Sequence, residues 1–62
     1  MFVIKKSITH EEVMRTNDRK EVDRFIKQCA DDWNYGLFRY WKPNDNLECF
    51  DCGPIVFHVY EI

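Results

Sequence analysis

The sequence predicts an α+β domain, a small and mainly antiparallel four-stranded sheet (β-α-β-β-β) with one amphipathic helix packed on one face. Three observations lead there. Val22, Phe25, Ile26, Cys29 and Trp33 recur at i, i+3, i+4, i+7 and i+11, an apolar stripe at helical period. The second half of the chain consists of short aromatic and β-branched runs separated by Pro, Gly and Asn turns. The chain has 62 residues, which confines all of this to a single domain over 1–62.

Phe2-Val3-Ile4-Lys5 opens the chain as a strand, and its nearly continuous apolar character suits an inner position. Over residues 7–17 Thr9 and Glu12 have the spacing of a capping box, so a short helical turn over His10–Arg15 is expected. A strand at Glu12–Thr16 is the rival. Asp18 and Glu21 form a second capping pattern, directly followed by the apolar stripe, and set the start of the main helix. Asn34-Tyr35-Gly36 ends it. Leu37–Trp41 reads as a strand with Leu37, Arg39 and Trp41 on one side and Phe38 and Tyr40 on the other. Pro43–Asn46 reads as a turn, Leu47–Asp51 as the returning strand, and Cys52-Gly53-Pro54 as a second turn. Ile55–Tyr60 is the strongest strand, with Ile55, Phe57 and Val59 on its apolar side.

Charge is distributed unevenly. Residues 1–30 carry seven cations and five carboxylates, whereas residues 31–62 carry two cations and six carboxylates, for a net charge of −2. A dedicated nucleic-acid binder leans basic, so nucleic acid is a secondary expectation. It rests on Phe38, Arg39, Tyr40 and Lys42, where rings and cations alternate. An odd count of three cysteines, with Lys5 and Lys6 cutting short the apolar start, predicts a cytoplasmic protein without a signal segment or membrane span.

No pattern assembles a catalytic centre. The carboxylate pairs Glu11-Glu12 and Asp31-Asp32 are adjacent in sequence, and helical neighbours do not face each other. The glycines, Gly36 and Gly53, form no phosphate loop. Cys49-Phe50-Asp51-Cys52-Gly53 resembles one half of a zinc-knuckle site, with His58, Cys29 and His10 as candidate further ligands. Zinc is therefore the alternative cofactor, against the plain reading of a strand cysteine and a turn cysteine, with no cofactor.

The leading expectation is a non-enzymatic protein-interaction module. Aromatic side chains and Arg are favoured at interface centres. Tyr35, Tyr40, Trp41 and Tyr60 are available for that role, with Asp31, Asp32, Asp45 and Glu48 as an acidic surround. Such a surface suits a larger partner, for instance a basic nucleic-acid-binding protein, and a small inhibitor or modulator of the kind that phages and mobile elements encode. The sheet face left uncovered by the single helix is the expected location.

Overall fold

A computed structural model describes residues 1–32 and 39–62, with the side chain of Asp32 outside the description. The elements are β1 (Phe2–Lys6), β2 (Glu12–Thr16), α1 (Arg19–Asp32), β3 (Arg39–Asn44), β4 (Leu47–Asp51) and β5 (Val56–Glu61). They form one helix and a sheet of five strands, not four, in the order β2-β1-β5-β4-β3. Every neighbouring pair is antiparallel.

The fifth strand comes from residues 7–17, where the expected helical turn is replaced by a hairpin. Thr9 does not cap a helix. Its Oγ1 accepts a hydrogen bond from the Glu11 amide at 3.3 Å, while the His10 amide donates to the Lys6 carbonyl at 2.9 Å. His10 takes φ of 60°, a left-handed conformation that closes the turn and would end any helix there. Glu12–Thr16 then pairs with β1, with Val13 as the extra residue between the Ile4–Met14 and Lys5–Glu12 pairs. β1 thus lies between β2 and β5, which explains its continuous apolar run: Ile4 is 0% and Val3 2% exposed, on opposite faces.

Pro43 also departs from its expected place. It lies within β3 rather than in the turn, which narrows to Asp45-Asn46. An edge strand tolerates a residue without an N–H, and the β3–β4 register slips between Trp41 and Asn44 around it. At the other turn the Gly53 amide donates to Asp51 Oδ1 at 3.0 Å, and Gly53 has φ of 98°, which a side chain would oppose.

The α1 boundary follows its sequence signal. Asp18 Oδ1 accepts from the Lys20 amide at 2.9 Å, satisfying one of the free donors of the first turn. Val22, Ile26 and Ala30 are buried, with Phe25 and Cys29 partly so, and they pack on Ile4, Phe50, Cys52, Phe57 and Val59. Phe25 meets Phe57 edge to face at 5.4 Å between ring centroids. Trp33, the last member of the expected stripe, lies outside the described residues, as do Tyr35, Leu37 and Phe38.

Candidate interaction face

The strand register sorts the side chains into two faces. On the helix side lie Phe2, Ile4, Met14, Tyr40, Glu48, Phe50, Phe57 and Val59; on the other lie Val3, Lys5, Arg15, Arg39, Trp41, Leu47, Cys49, Asp51, Val56, His58 and Tyr60. Residues 7–17 do not close over this second face, because β2 joins the sheet edge-on.

Among the described residues no element packs over this second face, called the open face below, which carries rings and cations. One row across the ladder reads Trp41, Cys49, His58, Lys5, Glu12, and the next reads Leu47, Tyr60, Val3, Arg15. The Arg39 guanidinium stands 5.1 Å from the centre of the Trp41 ring, and Lys5 Nζ 5.6 Å from that of Tyr60. His58 and Tyr60 meet edge to face at 6.1 Å, with Tyr60 Oη 3.5 Å from His58 Nδ1. Val3 and Cys49 are each 2% exposed although neither belongs to the helix-side core. Trp41, at the outer edge, is 37% exposed.

The two carboxylates of this face have partners within the chain. Glu12 takes two hydrogen bonds from Arg15, the shorter 2.8 Å, and Asp51 caps Gly53. The hydrogen bond from Arg15 draws the Glu12 carboxyl below its usual range. Lys5 and Arg39 instead rest against rings.

The residues expected to act together are thus dispersed. Trp41 and Tyr60 share the open face, but Tyr40 is on the helix side, where its hydroxyl donates to Glu48 Oε1 at 2.8 Å. Glu48 is committed inside the fold. The Arg19 guanidinium clasps both its oxygens, the Oε1 contact at 3.0 Å, and leaves the Glu48 side chain 15% exposed. Arg19 also donates to Asp23 at 3.1 Å and lies 5.6 Å from the Phe2 ring centre. Hydrogen bonding from Arg19 holds the Glu48 carboxyl low, and hydrogen bonding to Glu48 raises the Tyr40 hydroxyl. Asp31 is exposed near the end of α1 and Asp45 at the β3–β4 turn, so the acidic surround does not encircle the rings. Tyr35 and the Asp32 side chain fall outside the described residues. Sequence reasoning missed Lys5, whose place beside Tyr60 depends on β1 entering the sheet next to β5.

The C-x-x-C pair is divided by strand alternation. Cys49 pairs across the ladder with His58 on the open face, whereas Cys52 is buried in the helix-side core, close enough to Cys29 for the two thiols to influence one another. Burial pushes both the Cys49 and Cys52 thiols up, disfavouring the thiolate a metal or a nucleophilic reaction requires. Among the described residues no group of three or more His, Cys, Asp or Glu is arranged to hold a metal ion, and His10 sits on the β1–β2 turn. Nor, among them, is any helix long and apolar enough to cross a membrane. Comparison with family models, curated proteins and solved structures finds no match for this chain.

Proposed function

We propose that the chain is a non-enzymatic interaction module that modulates a larger protein by occupying part of its surface with the open face of the sheet. The observation that supports this is the gathering of two ring–cation pairs, Arg39 with Trp41 and Lys5 with Tyr60, on the face that α1 does not cover. Trp and Tyr supply contact area at little entropic cost, and Arg forms directed hydrogen bonds to carboxylates. The complementary patch carries acidic and apolar groups, in place of the basic surface that the acidic second half of the sequence suggests. Asp31 and Asp45 lie outside this contact.

A second reading, a platform for single-stranded nucleic acid, is favoured by the same cations standing against rings, since bases stack on sheet aromatics beside positive charge. One set of binding measurements separates the two. Immobilised wild-type chain is compared with Trp41→Ala, Arg39→Ala and, as a control on the exposed side of α1, Lys27→Ala. Captured proteins and a mixed-sequence oligonucleotide are quantified at two salt concentrations. The protein-binding reading expects a partner whose recovery falls about tenfold with Trp41→Ala, a loss of the size associated with an interface anchor, and stays level with Lys27→Ala. Equal recovery by all four chains would overturn it. Oligonucleotide binding that weakens steeply with salt and disappears with Trp41→Ala would replace it with the second reading.

A further inference from the structure

We propose that a second copy of this chain docks at the groove between β2 and α1, through a twofold contact in which Arg24 of each copy meets Glu21 of the other. This surface is separate from the open face and does not depend on the function assigned there.

Among the described residues the sheet ends in two edge strands, β3 and β2. β3 is protected: Pro43 lacks a donor, the register slips beside it, and Lys42 is exposed next to it. These are standard obstacles to edge-to-edge pairing. β2 carries the Val13 bulge and the exposed Arg15–Glu12 ion pair but no proline, and among the described residues its segment Met14–Thr16 pairs only with β1. Alongside that edge lies a groove of about 300 Å³ between β2 and α1, lined by Met14, Glu21, Arg24, Phe25 and Gln28.

The lining supplies complementarity. Met14 and Phe25 are half-buried apolar side chains, while Glu21 and Arg24 are exposed and opposite in charge. Positions 21, 24, 25 and 28 form a second stripe on α1 beside the core stripe. A patch bearing one acid and one base beside an apolar centre is complementary to itself under a twofold rotation, because a contact of residue i with j is repeated as j with i. Antiparallel approach of two α1 helices therefore forms the Arg24–Glu21 contact twice, with Met14 and Phe25 of both copies enclosed between them. Copies of a single chain meet this geometry without any further complementarity. The five residues that line the groove are far fewer than the roughly 20–30 a side of a stable interface, so a weak reversible dimer is expected rather than an obligate one.

Sedimentation equilibrium of the purified chain over a range of concentrations, without any partner, tests this. Wild type is expected to show a reversible monomer–dimer equilibrium. Arg24→Glu and Glu21→Arg should each weaken dimerisation about tenfold or more, because each converts two attractive contacts per dimer into repulsive ones. The double variant Glu21→Arg/Arg24→Glu should return to within about threefold of wild type, as restored pairing requires. Both side chains are exposed, and circular dichroism of each variant checks that the fold is kept. A wild type that is monomeric up to millimolar concentration would overturn the proposal. So would single variants that dimerise like wild type, a double variant that fails to recover, or a dimer that is lost with Trp41→Ala but not with Arg24→Glu.

Discussion

The two faces of this sheet manage charge in opposite ways. On the helix side Glu48 is enclosed by Arg19 and Tyr40, with Arg19 tied in turn to Asp23 and lying over Phe2. Those contacts fix the first turn of α1 to β4, and a carboxylate so engaged has little left for a partner. On the open side Lys5 and Arg39 rest against Tyr60 and Trp41 in contacts that an incoming ligand can share or displace. The sheet therefore separates the Glu48 network from the ring-bound cations Lys5 and Arg39, although the sequence interleaves them: Tyr40 and Trp41 are adjacent and lie on different faces.

The largest effect expected from this contrast is in stability. Phe57 is 3% exposed and packs against Phe25, so Phe57→Ala should cost about 3–5 kcal/mol, enough to unfold much of the population of a domain this small. Trp41→Ala removes a larger side chain from the open face and should change stability by less than about 0.5–1 kcal/mol. Urea denaturation of both variants measures the contrast directly. Similar losses would mean that the open face is part of the core and not a recognition surface.

A smaller effect distinguishes the two kinds of charge by pH. The Glu48 carboxyl is held below its usual value of 4.5, chiefly by the hydrogen bond from Arg19. A carboxyl depressed in the folded state contributes stability in full above its unfolded value, and loses it as pH falls through the lower folded value. The stability difference between wild type and Glu48→Gln should therefore be about 1.5 kcal/mol at neutral pH, discounted for the partly exposed Arg19 side chain. It should narrow below about pH 4.5. A difference that stays constant from pH 7 to pH 3 would show that the clasp contributes through packing alone.

Local patterns made part of this structure legible and left the rest hidden. The α1 stripe, the Asp18 cap, the alternation along β5 and the β3-β4-β5 meander are encoded by neighbours in sequence, and each could be read from spacing. The fate of residues 7–17 could not, because Thr9 and Glu12 have the same spacing whether Thr9 caps a helix or closes a turn. Pairing with β1, a long-range contact, decides between them, and with that decision comes the fifth strand. The candidate site suffered in the same way. The rings were visible as a composition bias, and Trp41 and Tyr60 do share a face. Nothing local in sequence marks Glu48 as engaged, because its partner Arg19 lies 29 residues away. Lys5 lies in the basic first half of the sequence, with nothing local to associate it with Tyr60.

The most modest prediction concerns the feature that sequence and structure specify in the same terms. Asp18 accepts from the Lys20 amide at 2.9 Å, and its own amide donates to Thr16 Oγ1 at 3.0 Å, so the junction between β2 and α1 is hydrogen-bonded on both sides of one residue. Asp18→Ala removes only the side-chain acceptor and should cost about 1 kcal/mol. Asp18→Asn keeps an acceptor while removing the charge that favours the positive end of the helix, and should cost only a few tenths of a kcal/mol, with the difference shrinking in high salt. Since α1 begins at Arg19, the residue that clasps Glu48, loosening the cap should also weaken the clasp. A double-mutant cycle of Asp18→Ala with Glu48→Gln should therefore show coupling of about 0.5 kcal/mol. Strict additivity would separate the cap from the clasp and confine the helix-side charge network to β4 and the Arg19 side chain.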